Sequence, residues 1–156
     1  MPHKISDTLY PVTDKFGWRI HPVYKTRKFH TGTDHKMPHG TTIKSVANGI
    51  VKEADFRSKT FGGRVVIEHT RGRAKGYRTS YNHLSQINVK VDSYVYGGQE
   101  IGKSGGTPNT YGAGTSSGPH LHFEVYKPGF DLYQDKYINK EAVVDPEQYW
   151  DIIEQD

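Results

Sequence analysis

Apolar residues recur along this chain in short runs that alternate with polar ones or stand together for a few positions, and glycine, asparagine or serine separates one run from the next. Six runs read as strands: TTIKSVANGIVKEADF (41–56), GRVVIEHT (63–70), RTSYNHL (78–84), QINVKV (86–91), SYVYGGQEIG (93–102) and HLHFEVY (120–126). They are rich in Val, Ile, Tyr, Phe and Thr, the residues that fit a pleated, half-buried surface. No helical periodicity of comparable length interrupts them. The pattern predicts a mainly β fold, an antiparallel sheet system of barrel or sandwich type with long loops. One short C-terminal helix is expected over DPEQYWDII (145–153), with Asp145 as the cap, Pro146 in the first turn, and Tyr149, Ile152 and Ile153 facing inward.

Composition narrows the picture. The chain has 156 residues, enough for one domain with its own core, and is expected to form a single unit over 1–156. Seventeen glycines, eight prolines and eleven tyrosines suit a loop-rich β protein. The absence of cysteine rules out disulfides, thiolate metal sites and a cysteine nucleophile, so a bound metal must be held by nitrogen and oxygen. A net charge of +4 favours anionic partners only weakly. The densest basic run, RGRAKGYR (71–78), reads as a hairpin loop, and it lacks the aromatic platform expected of a nucleic-acid binder, so no nucleic-acid partner is expected. No segment approaches the roughly 20 apolar residues that span a bilayer, and membrane insertion is not expected. The opening MPHKISDTLY lacks a basic region followed by an apolar run, so synthesis in the cytoplasm without an export signal of its own is expected.

The candidate chemistry lies in histidines. Residues two apart on a strand share a face, so His120, His122 and Glu124 point one way while Leu121, Phe123 and Val125 point toward the core. The two imidazoles are then about 6 to 7 Å apart along the strand, a separation that suits one metal ligand beside one acid or base. Two surface histidines on an alternating strand are the competing reading. The glycine-rich stretch from Gly102 to Pro119 immediately precedes this strand and reads as a wall of a site, with Tyr111 at its edge. Upstream, HTGTD places His30 and Asp34 four apart; imidazole and carboxylate are good zinc ligands, and a catalytic zinc commonly takes three protein ligands. His83, in YNHL, reads on its own as a half-buried structural histidine. His35 and His39 are spaced for one helical face, but Pro38 and Gly40 argue for a loop. His69 reads as a strand-end residue, and His21 as a structural or substrate-contact residue.

Taken in order, FGWRIHP, HTGTD, HGTTIKSVANGIVKEA, FGGRVVIEH, YNHLSQI, VYGGQEIGKSGG and SGPHLHFEV resemble the M23 zinc endopeptidases of lysostaphin-like or LytM type, which cut peptidoglycan. The resemblance covers about residues 15 to 127, leaving 128–156 as a C-terminal extension, and implies a LytM-type β fold. By position it implies one zinc ion per chain held by His30, Asp34 and His122, with His83 and His120 as catalytic histidines. It also implies bacterial peptidoglycan peptides as substrate. The sequence departs from relatives at Asp92 and Ser93, where they often carry glycine and aspartate. Together with the missing export signal, the resemblance leads to the expectation of a phage enzyme, either tail-mounted with phage tail proteins as partners or released at lysis; a domain of a larger exported protein is the alternative. A non-catalytic wall-binding or virion structural module on the same scaffold is the competing functional reading.

Overall fold

The computed structural model describes residues 5–20 and 23–153. His21 lies outside them. Thirteen strands and one helix follow one another: β1 (Gly17–Ile20), β2 (Arg27–His30), β3 (Thr33–Lys36), β4 (Thr42–Lys44), β5 (Gly49–Ser58), β6 (Gly62–His69), β7 (Arg78–Ile87), β8 (Tyr94–Val95), β9 (Glu100–Ser104), β10 (His120–Tyr126), β11 (Tyr133–Gln134), β12 (Tyr137–Ile138), β13 (Val143–Val144) and α1 (Pro146–Ile153). Nine strands form one sheet, with the path β13-β10-β7-β6-β5-β8; β3 joins through β10, and β9 bridges β7 to β4. Every pairing is antiparallel.

The apolar runs account for the long strands. Two of them divide: 41–56 becomes β4 and β5 around a buried connection at Ser45–Asn48, and 93–102 becomes β8 and β9. Only Gln86 and Ile87 of QINVKV stay in a strand, as the end of β7. The short strands β1, β2 and β3 do not show in the apolar pattern, because RKFH and TDHK are largely polar and GWRI is only four residues long. Tertiary pairing creates them: β1 lies along β2, and β3 runs along the edge of β10. RGRAKGYR spans the connection between the paired strands β6 and β7, with a single 3-10 turn at Gly72–Ala74.

Leu121, Phe123 and Val125 of β10 enter one core with Val51, Val65, Ile67, Tyr81, Leu84 and Ile101. The helix closes this core, and its N-terminus is capped as the sequence predicts, by Glu147 N–H donating to Asp145 Oδ1 at 3.0 Å. Its buried face differs from the expected one. Pro146, Trp150 and Ile153 are buried, with Tyr149 packed partly against them, while Ile152 is only half-buried. The Trp150 ring lies 5.6 Å from Phe123 and 6.3 Å from His35, so the buried face is turned toward the indole, and Ile152, about 200° further round the helix, faces away from it.

Two histidines read as peripheral are interior. His69 ends β6 but is buried, and its Nδ1 donates to the Asn48 carbonyl while Nε2 accepts from Thr79 Oγ1 at 2.8 Å. Burial pushes its pKa down to about 4, so it remains neutral in this network. His35 is not a loop residue: it sits in β3, buried, with Nδ1 donating to the Tyr10 carbonyl and Nε2 bonded to Thr33 Oγ1. His39 lies outside the strands, and its Nδ1 meets Thr107 Oγ1 at 2.9 Å. Asp92 adopts φ 71°, a left-handed conformation that aspartate tolerates, which accounts for glycine being acceptable there.

The glycine-rich stretch between β9 and β10 is tied down. Gly63 N–H donates to Gly112 O at 3.1 Å, and Thr115 N–H donates to Thr60 O at 2.9 Å. Gly112 has φ 83°, and a Cβ there would meet Leu84 O at 2.0 Å. Tyr111 packs against Phe56, with ring centroids 4.5 Å apart. Gly129 has a similar φ of 87° but open space around it. Replacing Gly129 with alanine should therefore cost only the left-handed backbone penalty of about 1–2 kcal/mol, whereas Gly112→Ala should cost more and speed amide exchange at Gly63. Equal chemical-denaturation stabilities for the two variants, with Gly63 still protected, would refute this account of the loop.

Candidate active site

The site forms where β10 meets β3. The antiparallel register sets His122 opposite Asp34, and Asp34 is also held on its other edge, where Thr13 N–H donates to its carbonyl and its own N–H donates to the Asp14 carbonyl. His30 ends β2 and is separated from β3 only by Thr31 and Gly32. A Cβ at Gly32 would lie 2.1 Å from Phe123 O, so the chain can cross β10 this closely only with glycine at that position. HTGTD is thus a tight crossing that brings His30 and Asp34 to the same point.

Ligand atoms of His30, Asp34 and His122 all lie within 4.8 Å of one another. His30 Nε2 is 3.2 Å from Asp34 Oδ2, and His122 Nδ1 is 2.9 Å from Asp34 Oδ1. The opposite nitrogen of each ring is already engaged: His30 Nδ1 donates to Lys15 O at 2.8 Å, and His122 Nε2 lies 3.1 Å from Glu124 Oε2. Since those partners accept hydrogen bonds, His30 Nε2 and His122 Nδ1 are the atoms left to face the shared centre, where each meets an Asp34 oxygen and would offer a lone pair to an ion. Two imidazoles with acceptor-bonded outer nitrogens and one carboxylate form a donor set that suits zinc and leaves a coordination position open. The residues therefore fit the ion.

Electrostatics agree. Burial raises the pKa of Asp34, but hydrogen bonds from His122 and His30 outweigh it and hold the carboxyl well below the usual range. Burial alone would lower the pKa of His122. Its hydrogen bonds to Asp34 and Glu124 prevail and push it up to about 9. The pocket is thus built to hold a cation between two carboxylates, and a proton on His122 fills that need when no ion is bound.

His83 and His120 face this centre from the other side, their ring centroids 4.8 Å apart. His83 Nδ1 donates to Ala113 O at 2.8 Å, and His120 Nδ1 donates to Gly118 O at 2.8 Å. Nε2 of His120 lies 3.6 Å from Asp34 Oδ1, and the His83 ring lies 6.2 Å from that of His122. Burial, aided by His120 and His122, lowers the pKa of His83 to about 4. His83 is buried rather than half-buried, and its φ of 64° is left-handed, a conformation uncommon outside glycine that histidine tolerates better than most residues. Pairing of β7 with β10 ends at Asn82 and pairing with β9 begins at Leu84. The left-handed residue between them breaks the alternation, so that Tyr81 and Leu84 both enter the core while His83 is released to the site.

The structure brings together all five residues singled out from the sequence. They line a cleft of about 380 Å³ with Asp14, Arg19, Lys28, Thr31, Phe61 and Ser116. The cleft continues past Asp34 and His120 into a depression bounded by Lys36, Gly118 and Pro119, and past Thr60 and Phe61 into another bounded by Arg57 and Tyr137. Tyr111, expected at its edge, lies instead on Phe56 and outside the cleft lining. Sequence reading missed Thr31, which lines the cleft beside His122, and Arg64, which reaches the site through Glu124. The charge of Arg64 inside the apolar run GRVVIEH was the available signal.

The chain is 40% identical over 130 residues to the peptidoglycan DD-endopeptidase ShyA of Vibrio cholerae, covering 77% of this chain and 27% of ShyA. It spans only about a quarter of the length of the curated relatives it matches first, which include the DD-carboxypeptidase/endopeptidase Mpg of Neisseria meningitidis. Among solved structures, the catalytic domain of the antimicrobial peptidase lysostaphin from Staphylococcus simulans superposes with a TM-score of 0.71 at 29% identity, covering 91% of this chain and 92% of that one. A catalytic-domain variant of the prophage-encoded M23 protein EnpA from Enterococcus faecalis gives 0.68 at 29% identity, with the same two coverages of 91% and 92%. The sequence profile of peptidase family M23 matches residues 28–144, a span that holds all five residues of the cleft, and the chain belongs to that family.

Proposed function

We propose that the protein is a zinc-dependent endopeptidase that hydrolyses peptide bonds of bacterial peptidoglycan, in a cross-bridge or stem peptide. The observation that carries the reading is the convergence of His30, Asp34 and His122 on one point, with the rings of His83 and His120 beside it. The cleft adjoins one depression at Asp34 and His120 and another at Thr60 and Phe61, which leaves room for substrate beyond the reacting bond. The names of the relatives, a peptidoglycan endopeptidase and an antimicrobial peptidase, support the substrate class.

His30, Asp34 and His122 would hold zinc, which when bound supplies a Lewis acid for the scissile carbonyl and water of lowered pKa. The chain's own groups do the rest. Neutral His83, fixed by Ala113 O, and His120, fixed by Gly118 O, stand ready to take the proton of the attacking water and to return one to the leaving amine. Burial keeps His83 unprotonated at neutral pH, so its Nε2 lone pair is available without prior deprotonation.

Purified protein should contain about one zinc per chain and clear a suspension of bacterial walls, with clearing abolished by a chelator. Alanine at His30, Asp34 or His122 should remove the zinc. Alanine at His83 or His120 should keep it while turnover falls about 10²- to 10⁴-fold. Metal-free protein that binds walls without cutting them would instead establish the wall-binding module, and near-normal cleavage by His120→Ala would overturn the role of that residue.

Zinc must displace the proton that His122 holds below about pH 9. Calorimetric titration at pH 7 in buffers of different ionisation enthalpy should report release of at least one proton per ion, with the His122 share vanishing as pH rises above 9. Zinc binding at pH 7 without proton release would contradict this charge balance.

Likeness to the prophage-encoded EnpA favours a phage setting. Peptides of this chain in purified virions would support a tail-associated enzyme with phage tail proteins as partners, while their absence from virions and presence in lysates would assign it to lysis.

A further inference from the structure

The strand that carries His122 carries a second buried charge without a role so far. Glu124 is 0% exposed, on the same face as His122. Its Oε1 accepts from Ser80 Oγ at 2.7 Å, Tyr126 OH at 2.6 Å and Arg64 Nη1 at 2.9 Å. Its Oε2 accepts from Thr31 Oγ1 and lies 3.1 Å from His122 Nε2. Arg64, 2% exposed, is fixed in turn by Asn82 Oδ1 at 2.8 Å, Tyr126 OH at 3.0 Å and Tyr133 OH at 3.1 Å. Asn82 also donates to the His122 carbonyl.

Stability alone is a poor explanation for this arrangement. A buried ion pair pays a large desolvation cost, and apolar side chains of similar volume often stabilise a fold as well or better. The distribution of bonds is more telling. Three donors fasten Oε1, and this leaves Oε2 aimed at the ring nitrogen of His122. A carboxylate oxygen only accepts, so Nε2 carries the hydrogen, and Nδ1, which donates to Asp34 while no ion is bound, is the atom that would present a lone pair to a metal.

The geometry points to Glu124 as a positioning residue for metal binding, one that fixes the tautomer and orientation of His122, with Arg64 as the group that fixes Glu124. The inference rests on His122 being a zinc ligand. It makes a specific claim about an isosteric change. In Glu124→Gln, the amide oxygen stays with Arg64, and the amide NH2 turns to His122 Nε2. That favours the tautomer with hydrogen on Nδ1, the atom that must bind the ion.

Zinc affinity, measured by competition with a chromophoric chelator, should fall roughly 10- to 100-fold in Glu124→Gln. The visible bands of the cobalt-loaded protein should shift. Val125→Ala, on the opposite face of the same strand and in the core, should lower the melting temperature and leave zinc affinity and the cobalt spectrum unchanged. Wild-type zinc affinity in Glu124→Gln, or an equal loss in Val125→Ala, would overturn the proposal. Wild-type affinity in His122→Ala would remove the ligand assignment, and this inference with it. Should Glu124→Gln fail to fold, Ser80→Ala and Tyr126→Phe each remove one bond to Oε1, and each should weaken zinc binding several-fold; unchanged affinity in both would overturn the proposal.

Discussion

The antiparallel register between β3 and β10, which sets Asp34 across from His122, is the constraint on which the site depends. A slip of one residue would turn every side chain of β10 to the other face and place Leu121 or Phe123 where the ligand must be. The register is held from both sides. The apolar residues of β10 pack into the core, and Asp34 is fixed through its backbone by Thr13 and Asp14. The side-chain bond between His122 and Asp34 then forms between groups whose backbones are already in place.

One face of β10 therefore does opposite work to the other. Leu121, Phe123 and Val125 supply apolar burial with Tyr81 and Trp150. His122 and Glu124 are equally sheltered but charged or polar. Such groups are tolerable only when every one of them is bonded. Burial raises the pKa of Glu124, but Arg64 and His122 more than offset it and keep the carboxyl well below its usual range. Arg64 stays charged against the cost of burial through Tyr126, Glu124, Tyr133 and Glu53. Because Tyr133 lies in the β11–β12 hairpin, the segment after the recognisable motifs also supports the site.

The long glycine-rich stretch shows how a loop can be ordered by backbone alone. Its carbonyls at Ala113 and Gly118 orient the two histidines that face the ligand set, and its attachment to Thr60 and Gly63 keeps those carbonyls where they are. Glycine serves there because neighbouring backbone passes too close for a Cβ, so a pattern that resembles a flexible linker is a fixed wall.

The sequence by itself determined the strands with long apolar runs, the two-residue period that divides β10 into a core face and a site face, and the nitrogen–oxygen nature of any metal site. The order of its motifs also singled out the five residues that meet in the cleft. These features were legible because they depend on local spacing and residue chemistry. Tertiary structure decided the rest. Strands β1 to β3 exist through pairing, not propensity, and the helix turns Trp150 rather than Ile152 inward because the large ring packs beside Phe123. His83 reaches the site because a left-handed residue is forced where β7 changes partners, which no period-two pattern shows. Arg64 and Glu124 lie 60 residues apart in the chain, and their bond forms only when β6, β7 and β10 lie side by side.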